Sequence, residues 1–356
     1  MMGHKFDYRW RLADATFTKD KGTVFSCFAC GGGSSMGYKL AGFDVIGCNE
    51  IDNRMMFTYC KNHNPHFPFL EPIQTFKDKQ DLPPELFNLD ILDGSPPCST
   101  FSMAGSREDA WGKMKHFREG QAEQVLDTLF FDFIQLAKRL QPKVVVAENV
   151  KGLMLGGAKD YVRRIYNGFD QAGYYCQYFL LDAQSMGVPQ RRSRVFFICL
   201  RKDLADPFLY DKSLFERVPF LKLDFNEEPI MFGECADYSG KEVTSEVIRL
   251  LWENRRYGDR CQGEANERLY GKWSNFNQVY AYIDRICPTL MSKESCLIHF
   301  DQPRYFGQSE VCCISSFPQD YDFAGQSPHY ICGMSVPPVM IAQVASRIYE
   351  QWLEKL

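Results

Sequence analysis

Five short apolar runs set the tightest limit on how this chain can fold: Val24–Cys27, Val45–Cys48, Leu89–Leu92, Val144–Val146 and Val195–Leu200. Runs this short and this apolar suit strands covered on both faces, and the stretches between them have the amphipathic spacing of helices. The clearest helix spans Leu129 to Leu140, with Leu129, Phe130, Phe133, Leu136, Ala137 and Leu140 at helical spacing and Pro142 closing it. Strand alternating with helix predicts an α/β fold on a parallel sheet. From about Lys202 to Ser292 the alternation fades and charged and aromatic residues mix without a period, which predicts a separate, irregular module. Order returns in Ser335–Leu356, where Val336, Pro337 and Pro338 lead into a helix with Ile341, Val344, Ile348 and Trp352 on one face.

Bulk properties exclude several classes. With 45% hydrophobic and 15% aromatic residues the chain can build a core, so global disorder is excluded. A formal net charge of −4 rules out a coat of basic residues but leaves room for a local basic patch. The 14 cysteines are scattered, and the first residues, Met1 to Lys21, are polar and mixed in charge, unlike a secretory leader. Free, mostly buried thiols in a reducing cytoplasm are therefore expected. Cys27 and Cys30 form a CxxC with no second pair at zinc-like spacing, so no metal site is expected. No uninterrupted apolar run reaches the roughly 18 residues of a membrane span, and a soluble protein is expected.

Chemistry gathers at the ends of the predicted strands. The Gly31–Gly33 cluster follows the first, where glycine lets the backbone approach a ligand, and Glu50 ends the second, where an acid suits a ribose hydroxyl. These features fit any nucleotide-binding α/β domain, and a plain tight turn as well. Ser95–Pro96–Pro97–Cys98–Ser99 follows the third run; two prolines fix the backbone before a cysteine that is either a nucleophile or an inert loop thiol. Glu148 ends a very apolar strand, where a carboxylate is costly without a partner or a task. Gln190–Arg191–Arg192–Ser193–Arg194 precedes the last run, and alternation sends Arg192 and Arg194 to one side, toward an anionic ligand or into a salt bridge.

Taken together, these segments resemble the DNA (cytosine-5)-methyltransferase family, collinearly from about Val24 to the C-terminus. Phe28–Ala29–Cys30–Gly31–Gly32–Gly33 is similar to the family's first motif and Asn49–Glu50–Ile51–Asp52 to its second. Pro96–Pro97–Cys98 matches the catalytic loop, Glu148–Asn149–Val150 the ENV motif and Gln190 to Arg194 the QxRxR motif. Arg304 to Glu310 with Ser316–Phe317–Pro318, and Gly333–Met334–Ser335–Val336–Pro337–Pro338, resemble the closing motifs. Three departures stand out: Cys30 replaces a usual glycine, Glu71–Pro72–Ile73 replaces an acid after the third strand, and Met334 replaces a usual asparagine.

The resemblance implies a Rossmann-like S-adenosylmethionine-dependent methyltransferase fold with a smaller, irregular target-recognition domain. It places the catalytic domain at 22–201 and 325–356, target recognition at 202–324 and an N-terminal extension at 1–21. S-adenosylmethionine would be held by Phe28, Gly31, Gly33, Glu50, Ile51, Pro97, Leu129, Ser335 and Val336. Catalysis would fall to Cys98, attacking carbon 6 of a flipped-out cytosine, to Glu148 on the ring and amine, and to Arg192 and Arg194 as positioning groups. The long stretch from Ser99 to about Asp127 would close as a lid. Double-stranded DNA is the implied partner of a monomer, with room for a cognate restriction endonuclease but no stable complex with it. An RNA methyltransferase of the same family and a non-catalytic DNA-binding relative are the alternatives; the Cys-Phe-Thr signature of the tRNA branch is missing.

Overall fold

The computed structural model describes residues 3–97, 114–115, 124–125, 128–154, 159–213, 216–273 and 278–356. They form two compact units. One comprises Phe17–Leu181, Ser193–Asp224 and Ile341–Leu356, the other Met1–Thr16, Asp182–Arg192 and Phe225–Met340.

The first unit is built on seven strands: β1 (Thr23–Cys27), β2 (Asp44–Glu50), β3 (Phe67–Leu70), β4 (Ile91–Gly94), β5 (Val144–Val150), β6 (Tyr174–Asp182) and β7 (Ser193–Arg201). Their order across the sheet is β3-β2-β1-β4-β5-β7-β6. Pairing is parallel from β3 to β5, while β7 runs antiparallel to β5. The helices α1 (Gly33–Leu40), α2 (Asn53–His63), α3 (Leu129–Leu140) and α4 (Lys159–Gln171) alternate with these strands. Each of the five apolar runs lies at a strand of this sheet, and the two edge strands, β3 and β6, are the ones those runs do not include. An edge strand is covered on fewer sides, and β3 accordingly alternates between half-buried and exposed residues and carries Pro68.

Helix α3 has the bounds that its apolar spacing predicts. Leu129, Phe130, Phe133, Leu136, Ala137 and Leu140 are buried, in one core cluster with Leu92, Val145 and Phe197. Burying side chains of this size stabilises the fold by about 1.5–3 kcal/mol each. The helix stops at Gln141, whose left-handed backbone (φ 51°) lets its N–H donate to the Ala137 carbonyl at 2.9 Å just before Pro142.

Register fixes where the chemistry gathers. Cys27 of β1 pairs with Gly94 of β4, and Gly94 with Ala147 of β5, so the segments leaving these three strands emerge at one edge of the sheet. The antiparallel β7 enters at that same edge, with Arg194 opposite Val150. Strand order reverses between β1 and β4, and open α/β sheets bind ligands at such a point.

The sheet unit also holds the hairpin β8 (Leu209–Ser213) and β9 (Glu216–Pro219). Gln177 of β6 donates to the Pro219 carbonyl at 2.7 Å and Trp352 to the Phe220 carbonyl at 2.7 Å, tying residues past 201 to the sheet. Residues 202–224 thus lie within the sheet unit and 325–340 within the other, on the far side of boundaries drawn at 201/202 and 324/325.

The second unit contains α5 (Glu246–Glu253), α6 (Gln262–Tyr270), the parallel pair β10 (Val279–Ala281) and β11 (Leu297–His299), α7 (Gln308–Ile314) and α8 (Pro328–Met334). It departs from the expectation of free thiols at one place, where Cys235 and Cys313, with Cα atoms 5.6 Å apart, form a disulfide. The last helix, α9 (Pro338–Gln351), buries the expected Ile341, Val344 and Ile348, with Trp352 buried just beyond its end. Pro328–Lys355 is apolar enough to cross a membrane by length and composition, but 83% of its most apolar window is buried in the protein, as in a core helix.

Candidate active site

The loop after β1 turns sharply because three of its residues adopt left-handed backbone: Phe28 (φ 54°), Cys30 (φ 49°) and Gly32 (φ 83°). Gly32 closes the turn by donating to the Ala29 carbonyl at 2.8 Å, and it must be glycine, since a Cβ there would lie 2.0 Å from His63 Nε2. His63 stacks on Tyr59 with ring centroids 4.1 Å apart, and burial pushes its pKa well below the ordinary range, so it packs as a neutral ring. Gly31 and Gly33 are buried, Gly33 as the first residue of α1, and Phe28 packs against the core near Phe133.

Glu50, the last residue of β2, is buried beside this loop. Cys30 N–H donates to its Oε2 at 2.7 Å, and the N–H groups of Ile51 and Asp52 donate to Oε1 at 2.8 and 2.9 Å. Burial pushes the carboxyl above its usual range while the backbone donors pull it down. Oε2 accepts a single one of these bonds and so keeps a lone pair for a further donor such as a hydroxyl. Asn49 holds the neighbouring strand through the carbonyls of Phe69 (3.2 Å) and Glu71 (2.8 Å), and Asp52 caps α2 through Arg54 and Met55 N–H.

A second group stands at the ends of β4 and β5. Gly94 abuts the Phe133 ring, where a Cβ would come within 2.6 Å, and the chain continues through Ser95, Pro96 and half-buried Pro97. Asn149 Nδ2 donates to the Pro96 carbonyl at 3.0 Å, clamping this loop to β5. Glu148 and Arg194 form an ion pair, Oε1 to Nε 2.9 Å, largely withdrawn from solvent. Burial lowers the Arg194 pKa, and the Glu148 carboxylate offsets only part of that. Glu148 therefore has the cationic partner that its apolar strand demands. Cys98 lies outside the described residues, as does the lid segment apart from the backbone of 114–115 and 124–125, which pair antiparallel.

The two arginines have different partners, Arg194 pairing with Glu148 and Arg192 with backbone carbonyls. Strand β7 begins at Ser193, so the period does not extend back to Arg192, which belongs to the second unit. Its guanidinium donates to the carbonyls of Leu290 (3.0 Å), Gly333 (2.8 Å) and Ser335 (2.9 Å). Gln190 completes this cluster, accepting from Leu290 N–H at 3.1 Å and donating to the Ile314 carbonyl at 3.1 Å. Ser335 and Val336 are buried in the same unit, and the Ser335 hydroxyl has no hydrogen-bond partner among the described residues. Leu129 is a core residue at the start of α3.

One residue escaped the sequence reading. Asp93, in β4, is buried and accepts from Ser26 Oγ at 2.7 Å and Tyr38 Oη at 3.1 Å. Burial pushes its carboxyl up to about 7 against the pull of those two hydroxyls. An acid inside the apolar stretch Ile91–Gly94 was the available signal. Among the described residues no group of three or more His, Cys, Asp or Glu could hold a metal ion.

The family described as C-5 cytosine-specific DNA methylase matches residues 22–350. Type II methyltransferase M.FnuDI of Fusobacterium nucleatum is 28% identical over 363 residues, covering 93% of this chain and 95% of its own. Type II methyltransferase M.DdeI of Desulfomicrobium norvegicum is 28% identical over 379 residues, covering 91% and 88%. Among solved structures, a prophage-encoded DNA modification methyltransferase of E. coli superposes with a TM-score of 0.61 at 20% identity, covering 92% of this chain and 99% of that one. DNMT2 of Spodoptera frugiperda gives a TM-score of 0.61 at 18% identity, with the same coverage of 92% and 99%. At these identities the structural likeness establishes the fold.

Proposed function

Because the chain belongs to the C-5 cytosine-specific DNA methylase family, we propose that it methylates carbon 5 of a flipped-out cytosine in a short duplex sequence, with Cys98 as covalent nucleophile. It is a DNA cytosine-5 methyltransferase. The names of its relatives support the type II restriction-modification kind. The observation that supports the mechanistic reading is the Asn149–Pro96 clamp beside the Glu148–Arg194 pair, since it ties the segment that precedes Cys98 in the chain to the strand that carries a buried, paired carboxylate.

The residues after β1 and β2 fit S-adenosylmethionine. Phe28 and Gly31 lie in the sharp turn after β1 and Gly33 opens α1, and Glu50 is oriented by three backbone donors with acceptor capacity left for a ribose hydroxyl. Ile51 and Pro97 complete this set from the neighbouring loops, and Leu129 supports it from the core. Ser335 would add a buried hydroxyl and Val336 an apolar contact. When bound, the cofactor supplies an electrophilic methyl group.

The protein's own groups do the rest. Carbon 5 of cytosine is a weak nucleophile, and addition of the Cys98 thiolate to carbon 6 gives it enamine character. Glu148, held by Arg194, hydrogen-bonds the ring nitrogen and exocyclic amine and so stabilises charge developing in the ring. Once carbon 5 carries the methyl group, its proton leaves and the electrons of that C–H bond expel the thiolate, regenerating Cys98. Arg192 acts as a positioning residue through the carbonyls of Gly333 and Ser335. The reaction needs the cytosine out of the stack, because carbon 5 is shielded in a duplex.

The test is whole-genome cytosine-methylation sequencing of a methylation-free bacterium that makes the wild type or Cys98→Ser. Methylation confined to one short motif, and absent with the variant, is the expected result. Undiminished methylation by Cys98→Ser removes the covalent mechanism.

A further inference from the structure

The second unit contains a cleft of about 650 Å³ whose lining includes Lys241, Glu242, Lys293, Glu294 and Tyr305. Its walls are two anchored segments. On one side the Lys241 carbonyl accepts from Tyr305 N–H at 2.9 Å, and Val243 N–H donates to the Pro303 carbonyl at 2.8 Å. On the other, a short helical turn, Glu294–Cys296, carries Glu294 directly after Lys293. Lys241 Nζ lies 3.2 Å from Glu294 Oε1 and joins the two sides.

The charged groups are arranged unequally. Glu242 is oriented by Arg304, whose Nη2 donates to it at 2.7 Å while Nη1 donates to the Gly240 carbonyl at 2.9 Å. Glu294 is paired with Lys241. The Lys293 ammonium has neither ion pair nor hydrogen bond among the described residues, and it is exposed. In the lining two cations, Lys241 and Lys293, stand against two carboxylates, Glu242 and Glu294, and with Lys241 spent on Glu294 the cleft offers one uncommitted donor beside a fixed acceptor.

From this juxtaposition we propose that the cleft reads one base pair of the DNA target, with Lys293 donating to guanine and Glu242 accepting from the paired cytosine. The proposal rests on the enzymatic reading above for its substrate. In the major groove guanine offers two acceptors, N7 and O6, and cytosine an N4 amino donor, and a lysine beside an oriented carboxylate complements that edge. A phosphate would need a donor alone. Beside a phosphate Glu242 and Glu294 would be repulsive, whereas next to a G·C edge the Glu242 carboxylate acquires a partner.

The experiment is selection of duplexes from a randomised pool by the full-length protein, wild type against Lys293→Met and Glu242→Gln. Both positions are exposed, so the variants should fold, and melting curves check this. Wild type should enrich one motif, and Lys293→Met should lower discrimination at a single guanine position roughly ten- to hundredfold. Glu242→Gln should weaken preference at the same base pair. An unchanged motif overturns the proposal. So does uniform weakening at every sequence with a salt slope reduced by about one, which marks a phosphate contact, and so does a wild type that selects nothing. Selection needs no turnover, so a protein that enriches a motif but deposits no 5-methylcytosine leaves the cleft standing and defeats the enzymatic reading instead.

Discussion

At Cys30 a side chain occupies backbone that favours glycine. Left-handed φ costs an ordinary residue about 1 kcal/mol, whereas glycine adopts it freely but loses more entropy on folding. The two effects nearly cancel, so Cys30→Gly should change stability by less than about 1 kcal/mol. Cys30→Val, whose branched Cβ tolerates this region poorly, should destabilise by about 1–2 kcal/mol and weaken S-adenosylmethionine binding. Equal melting temperatures for the two variants would show that the loop is not conformationally demanding. The Glu148–Arg194 pair illustrates a different balance. Desolvating two charges offsets most of their attraction, so the pair adds little net stability, but removing one partner would leave a buried charge alone. Its value lies in orientation, which suits the role proposed above for Glu148.

Asp93 belongs to the scale of elements, because it ties β4 to β1 through Ser26 and to α1 through Tyr38. Its carboxyl is raised to about 7 in the folded protein, while in the unfolded chain it titrates near 4. Between those values the folded state holds a proton that the unfolded state has lost. Stability should therefore fall as pH rises through that window, by up to about 1.4 kcal/mol per pH unit, and become flat above it. Asp93→Asn should remove this contribution, which denaturant titrations of both proteins between pH 5 and 8 would reveal as a difference in slope. Parallel pH profiles would mean that Asp93 is ionised in the fold. Cys27 on β1 and Glu148 on β5 act on the same environment, Asp93 raising the Cys27 thiol and Glu148 raising Asp93, so the measurement is a difference between variants and not a single curve.

For the whole molecule the question is which part chooses the DNA sequence. The segment 202–324 combines Arg249, Arg255, Arg256, Arg260, Arg268 and Lys272 with Trp252, Tyr257, Tyr270 and Trp273. Several of these already have partners within the protein: Arg255 stacks on Trp252 and donates to its carbonyl, Arg268 is paired with Asp259, Arg249 lies 3.5 Å from Glu253, and Tyr257 donates to Asp284. Exchanging 202–324 for the corresponding segment of a relative should transfer the methylated motif. Retention of the original motif would place recognition elsewhere. The sheet was legible in the sequence because its inner strands are apolar on both faces and its helices carry one apolar stripe, patterns that burial imposes locally. The edge strands β3 and β6 left no such apolar run, since a half-covered strand writes no such pattern, and β3 was placed only by the family resemblance. Glu50 and Glu148 could be singled out as acids at strand ends, but their partners could not. The Cys30 amide, Arg194 and the Asn149–Pro96 clamp are set by strand order and register, which bring together residues distant in the chain. The different partners of Arg192 and Arg194 have the same origin, since the strand that carries Arg194 begins at Ser193. What the sequence determined by itself was where the inner strands lie and that Glu50 and Glu148 stand toward the ends of two of them, because hydrophobic periodicity is local. Which group meets which was decided by tertiary structure, because hydrogen bonds and ion pairs form only between atoms that long-range packing has already made neighbours.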